Sequence, residues 1–361
     1  MVSLATVRAS NQRLKAAIPG TTALFVGGTT GIGQNTLRQL AMHVESPKVY
    51  IIGRSEQKAS PFLAELGRLN PRGNFQFIET DVSLIRNVDK ACKMIKDKED
   101  RLNMLFMTPG GISLSGRKET PEGIDQIFAL RYYSRMRFIQ NLLPLLSTTT
   151  PARVISIFGG GFESSINGSD LDLKHNFSIL NCAKHAITMT SLSMEHLAIT
   201  TACQEQQNNS GPVSFMHIYP GLVRSNIYTN SFPAPIAAFY NYVLWPTMML
   251  PFSVDAQESG ERHLFHLTSA SYPGGNASDR DTVASKQQSD GVSVLGDPSN
   301  TPVAVGSTGV RGSGAYLLNW KGEGIPGSKV MQRYREEGMP ETVWRHTVDL
   351  LDKAASIKIA G

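Results

Sequence analysis

The chain has 361 residues, 41% of them hydrophobic and 18% charged, with a formal net charge of +5. This composition supports a packed core and excludes global disorder, and the scattered lysines and arginines form no basic helix or aromatic-interleaved patch of the nucleic-acid-binding kind. Cys92, Cys182 and Cys203 match no metal spacing, and the amino terminus lacks a long apolar core, so the sequence predicts free thiols, no metal site and a cytoplasmic protein.

In chain order, TALFVGG (22–28) reads as a buried strand ending in glycines, followed by a helix from Ile32 to His43. A second strand, KVYIIGR (48–54), precedes a helix to about Gly67, and a third, NFQFIETD (74–81), precedes a helix over Ile85–Lys98. LNMLFMTP (102–109) is the fourth, followed by a loop and a long helix over 123–146. RVISIFG (153–159), a helix carrying Lys184, and VSFMHIYPG (213–221) complete the alternation. Nearly all-apolar strands alternating with helices predict an α/β fold: a doubly wound, Rossmann-like parallel sheet covered on both faces, in a single domain.

Residues 232–252, FPAPIAAFYNYVLWPTMMLPF, approach a membrane span in length, but their four prolines break a continuous helix. Short helical pieces forming an apolar lid (230–252) are expected instead, with no transmembrane span. Residues 273–314 are rich in Gly, Ser, Asp and Asn and predict a surface excursion. The tail, 315–355, predicts a hairpin fragment and two short amphipathic helices, with Trp344 and Leu350 docking on the body.

The strongest motif is LFVGGTTGIGQNTLRQLA (24–41), a strand, glycine turn and helix in that order. Gly27 permits the tight turn, and Gly31 and Gly33 let backbone amides approach a pyrophosphate at the helix amino end, where the dipole favours an anion. Gly27, Thr29, Thr30, Gly31, Ile32 and Gly33 are therefore the expected phosphate cradle. The domain division that follows is 1–270 for the dinucleotide-binding body with its lid, and 271–361 for a C-terminal extension.

The Gly-x-x-x-Gly-x-Gly spacing resembles the short-chain dehydrogenase/reductase family. The resemblance implies that Asp81 and Val82 contact adenine. It also implies that Pro109 and Gly110 (in Met107-Thr108-Pro109-Gly110) skirt the cofactor, and that Pro220-Gly221 forms the nicotinamide-side turn. Arg54, at the end of the second strand, can pair with a 2′-phosphate, so NADP(H) is the expected cofactor. More narrowly, the chain resembles long reductase-like members of fungal secondary metabolism, which implies a small natural-product substrate. The family also commonly dimerises through helices corresponding to 123–146 and 180–198, so a homodimer is possible unless the extension blocks it.

The family aligns Asn, Ser, Tyr and Lys for proton transfer and ribose binding. Here Lys184 occupies the lysine position, but Leu180 replaces the tyrosine, Gly159 the serine (with Ser156 a register alternative) and Arg131 the asparagine. Lys184, Arg131, Tyr132 and Tyr133 are the catalytic candidates, with Tyr219, His185 and Glu163 as further donors. The resulting expectation is an NADP(H)-dependent reductase of a carbonyl, imine or iminium. The alternatives are a non-redox cyclase or isomerase on the same scaffold, and an inactive dinucleotide-binding protein.

Overall fold

In the computed structural model, the residues described are 2–111, 116–208, 211–223, 234–249, 253–275, 302–325 and 327–357. Two helices not anticipated from sequence, α1 (Leu4–Gln12) and α2 (Leu14–Ala17), open the chain. The alternating units follow: β1 (Thr22–Val26), α3 (Gly31–His43), β2 (Lys48–Gly53), α4 (Glu56–Leu69), β3 (Asn74–Glu79), α5 (Ile85–Lys96) and β4 (Met104–Met107). A short helix, α6 (Gln126–Phe128), passes through a π-helical turn (Ala129–Tyr133) into α7 (Ser134–Leu146). Then come β5 (Ala152–Ile157), α8 (Ile179–Asn208), β6 (Val213–Ile218) and the two-residue strands β7 (Leu222–Val223) and β8 (Ser253–Val254). Between those two lie α9 (Ala234–Phe239) and a π-helical stretch (Tyr240–Met249); α10 (Ala256–Thr268), β9 (Ala315–Leu318), α11 (Lys329–Glu336) and α12 (Met339–Ser356) complete the chain.

The main sheet runs β3-β2-β1-β4-β5-β6-β9, every pairing parallel. Because side chains alternate along a strand, β1 serves both faces. Leu24 and Val26 join a core built with α5, α7, α8 and α12, while Ala23 and Phe25 join one built with α3, α4 and α10. Burial on both faces explains why the strands read as unbroken apolar runs. The pairing places Val26, Met107, Ser156 and His217 in one row across the sheet, at the ends of β1 and β4 and one residue short of the ends of β5 and β6. The chain order reverses between β1 and β4, where open parallel sheets form their ligand crevice.

The C-terminal tail differs in part from expectation. Residues 315–318 pair in parallel with β6, Phe215 opposite Ala315 through Ile218 opposite Leu318. The expected hairpin fragment is the turn that follows: Asn319 N donates to Glu323 O at 3.0 Å and Ile325 N to Leu317 O at 2.8 Å, on either side of an antiparallel bridge between Leu318 and Gly324. All four residues of β9 are buried, so an edge position with one covered flank stabilises them better than a free hairpin would. The last helix, α12, has 18 residues rather than being short. Trp344 and Leu350 pack partly buried against the core, and Trp344 stacks on His196 of α8. Arg335 of α11 donates from Nε and Nη2 to the buried Glu195 carboxylate of α8, at 2.9 and 3.0 Å. At the other end of the chain, Asn11 of α1 donates to Glu261 O of α10 at 2.9 Å, and Arg8 pairs with the Glu261 carboxylate at 2.9 Å. Most of the excursion over 273–314 lies outside the described residues, as do 230–233 and 250–252 of the expected lid.

One long-range cap fixes the loop after β4. Leu84 cannot cap α5, and the buried Glu122 carboxylate instead accepts from Ile85 N at 2.5 Å and Arg86 N at 3.1 Å. Asp125 does the same at α6, accepting from the Ile127 and Phe128 amides. The segment 117–125 is thereby held against the body.

Removing Arg335 strands a buried carboxylate. Arg335→Ala is expected to lower unfolding stability by about 2 kcal/mol or more, and adding Glu195→Gln to recover much of the loss in urea titrations. Acid should destabilise the fold as well. Burial pushes His217 down to about 3 and His263 to about 4, and it holds His266 well below its ordinary value. Unfolded histidines titrate near 6.5, so below that pH the unfolded chain binds more protons and stability falls with pH. Each such histidine contributes up to about 1.4 kcal/mol per pH unit between its two pKa values; a urea midpoint unchanged from pH 7 to pH 5 contradicts this account.

Candidate functional site

The carboxyl edge of β1 turns through Gly27, with φ +85°, into α3. A Cβ on Gly33 would sit 2.5 Å from Gly27 O, so only glycine lets the first turn of α3 close onto the strand end. Thr30, the residue before α3, makes no side-chain cap, which leaves the first helical amides open for an anion. Thr108, just after β4, donates to Gly27 O at 2.9 Å and ties the neighbouring strand end to this turn.

Along the same edge, Arg54 follows β2 and is exposed. With Glu79, Thr80, Asp81 and Asn87 it lines a groove of about 450 Å³. Glu79 is occupied in accepting from Glu56 N at 2.7 Å, and Asp81 Oδ1 accepts from Ser83 N at 3.0 Å; Arg54 makes no ion pair among the described residues. Val82 is buried, Pro109 is buried with Gly110 exposed beside it, and Pro220 and Gly221 lie half-buried beyond β6. An uncapped helix start, a crossing with no room for a Cβ and a groove with an open guanidinium together offer donors to an anion along this edge.

At the middle of the edge, Leu180 lies in the first turn of α8 and is 63% exposed. Lys184, one turn on, is half-buried and makes no hydrogen bond or ion pair among the described residues. The glycine run after β5 faces α8. A Cβ on Gly160 would meet His217 O at 2.2 Å, and Gly161 takes φ +94°. A buried network holds this run. Gly159 N–H must donate, so His217 Nε2 (3.2 Å away) accepts and its proton sits on Nδ1. That proton faces Ser191 Oγ at 2.8 Å, and Ser191 in turn donates to Glu163 Oε1 at 2.7 Å. The same carboxylate oxygen accepts from Gly161 N at 3.0 Å. Burial pushes the Glu163 carboxyl up, against the bonds from Ser191 and Gly161.

Two arginines complete the site. The π-helical turn presents Arg131, and Arg135 follows one helical turn later. Arg135 is fully buried: it donates to Ser156 Oγ at 2.5 Å, to Ile157 O at 3.0 Å and to Pro109 O. Burial, then the charge of Arg131, pushes it down to about 9, so it remains a cation at neutral pH. Arg131 is 7% exposed and donates from Nη2 to Gly111 O at 2.9 Å, but Nε and Nη1 have no hydrogen-bond partner among the described residues. Both guanidinium carbons lie 5.6 Å from the Phe158 ring centroid. Burial pushes the nearby Cys182 thiol up to about 11, with the Arg131 charge opposing.

The sheet edge thus brings together Gly27, Gly31, Gly33, Arg54, Asp81 and Pro109 along one flank, with Lys184 and Arg131 at the centre. It does not bring Tyr132 and Tyr133. Tyr132 Oη is bonded to Ser193 Oγ at 2.8 Å and Thr347 Oγ1 at 2.6 Å, and Tyr133 Oη to His346 Nε2 at 3.2 Å. Both rings are fully buried under α8 and α12, and burial pushes both phenols up. They follow Arg131 in sequence but project from other sides of the helix. His185 likewise turns inward, accepting from Asn167 N at 3.1 Å. Tyr219 packs edge-on against Phe162, with ring centroids 4.9 Å apart. Ser156 is buried under Arg135. Sequence reasoning missed Arg135, Ser191 and His217. The four-residue step from Arg131 was a usable sign of Arg135; nothing local marks a strand histidine or a helical serine as joined to Glu163.

Residues 21–235 match the family model described as short chain dehydrogenase. Oxidoreductase AN1596 of Emericella nidulans is 62% identical over 355 residues, covering 98% of this chain and 99% of that protein. Oxidoreductase andH of Emericella variicolor is 37% identical over 349 residues, covering 96% of each. Among solved structures, YwfH, described as an NADPH dependent reductase involved in Bacilysin biosynthesis, shares the fold with a TM-score of 0.50. It is 16% identical and is covered over 91% of its length by 69% of this chain. The family match over more than half the chain and the near full-length relatives agree with the sheet order and the glycine turn: the chain belongs to the short-chain dehydrogenase family.

Proposed function

We propose that the protein is an NADP(H)-dependent oxidoreductase that reduces a carbonyl or an imine or iminium carbon of a natural-product intermediate in fungal secondary metabolism. In this reading Gly27, Thr29, Thr30, Gly31, Ile32 and Gly33 cradle the pyrophosphate, and Arg54 takes the ribose 2′-phosphate. Asp81 and Val82 face the adenine, and Pro109, Gly110, Pro220 and Gly221 border the nicotinamide half. The bound dinucleotide supplies a hydride at its nicotinamide ring. Lys184 binds the nicotinamide ribose, and Arg131 polarises the oxygen where the acceptor is a carbonyl.

One observation carries the reading. Lys184 has no partner among the described residues, while the position one turn before it is an exposed leucine and the neighbouring phenols are bonded elsewhere. A carbonyl acceptor needs a proton for the alkoxide that hydride transfer creates. An iminium acceptor becomes a neutral amine and needs none, so the leucine is compatible with that chemistry. Apolar side chains on α9 and the π-helical stretch after it, among them Phe239, Tyr242 and Val243, are exposed and supply an apolar lid for the substrate. The division into a body (1–270) and an extension (271–361), and a cytoplasmic location, belong to the same proposal. No helix among the described residues is long and apolar enough to cross a membrane.

Arg54→Ala is expected to weaken NADPH binding about tenfold or more, the loss of a charge-assisted phosphate contact, while NADH binding barely changes; equal losses for both remove Arg54 from the 2′-phosphate. Leu180→Tyr is expected to raise turnover of carbonyl substrates and leave that of cyclic iminium substrates within a few-fold. Product formed with no fall in reduced-nicotinamide absorbance would falsify the reductase reading.

A further inference from the structure

Arg131, Arg135 and Lys184 place three cations at the ends of β4 and β5 and the start of α8, and none has a carboxylate partner among the described residues. Arg135 is satisfied by four carbonyls and a hydroxyl. Arg131 is not: among the described residues its Nε and Nη1 are buried and meet no oxygen or nitrogen acceptor, with only the weakly accepting Cys182 thiol beside them. Leaving charged donors unmet in a buried place is costly. They lie between Gly111 O, the Phe158 ring and Cys182, two residues before Lys184, on the three elements that bound the substrate end. The π-helical turn that presents Arg131 is an irregularity of a kind frequent at functional sites.

We infer that Arg131 is a binding site for an oxyanion on the substrate: a carboxylate or an enolised 1,3-dicarbonyl held beside the reacting carbon. The guanidinium is planar, permanently charged and weakly hydrated, which suits a delocalised oxygen anion better than a lone carbonyl. Lys184 and Arg135 add to the positive field without competing for the ligand. This specifies the substrate class of the reductase reading and rests on that reading's placement of the substrate end.

The test titrates NADP-saturated protein by calorimetry with benzoate, with 1,3-cyclohexanedione and with neutral methyl benzoate, using wild type, Arg131→Gln and Arg131→Lys. At least one of the two acids is expected to bind more tightly than the ester. Arg131→Gln should lose that preference by about tenfold or more, and Arg131→Lys should keep part of it. Which acid is preferred distinguishes carboxylate from enolate. Arg131→Gln should also melt at or above the wild-type temperature, because it removes a buried, half-satisfied charge. Equal binding of acids and ester, or an Arg131→Gln variant that melts lower with its binding unchanged, overturns the inference and makes Arg131 structural. NADPH affinity measured on the same variants stands apart: its loss in wild type defeats the reductase reading, whereas retained NADPH binding without acid recognition defeats only this one.

Discussion

Arg135 is the constraint around which the carboxyl edge of the sheet is arranged. A cation with no exposed surface must be met by dipoles, and here it draws the Pro109 and Ile157 carbonyls and the Ser156 hydroxyl toward one guanidinium. Those groups belong to adjacent strand ends, so the charge fastens β4 to β5 where their loops diverge around the crevice. The same charge lies over one side of the Phe158 ring while Arg131 lies over it too. Filling the inner position with a satisfied arginine leaves the outer one to meet its donors elsewhere.

Beneath the glycine run, a second polar assembly does comparable work around a buried carboxylate. His217 comes from β6, Ser191 from α8 and Glu163 from the loop after β5. Each hydrogen in it has one direction available, because the Gly159 amide admits only an acceptor. A network satisfied in this way is rigid, and it explains why the loop is built of glycines: Gly160 passes under a strand carbonyl and Gly161 needs a positive φ. The departures from the family pattern therefore form a coherent set. In the proposed reading, glycine stands at the serine position, leucine at the tyrosine position and arginine at the asparagine position, which gives that surface positive charge and apolar area in place of hydroxyls.

The C-terminal segment is integral to this body. β9 closes the edge beside β6, and α12 lies on α8 and α5, bonded through Thr347 to Tyr132. It packs against α8, one of the two helices that the family resemblance associates with dimer contacts. The ion pair of half-buried Arg335 with buried Glu195 secures the same segment from α11.

The sequence by itself determined what depends on neighbours along the chain. The strand and helix alternation, the glycine turn before α3, Arg54 at the end of β2 and the Leu180–Lys184 spacing were all legible, because each is set by local periodicity or by a backbone requirement at one residue. The tertiary structure alone decided what depends on partners distant in sequence or on helix phase. It placed residues 315–318 beside β6, turned Tyr132 and Tyr133 into the core although they adjoin Arg131, and joined His217, Ser191 and Glu163. One residue along a helix turns a side chain by roughly 100°, and a strand side chain meets whatever the next strand presents, so neither outcome is written in the residues' own order.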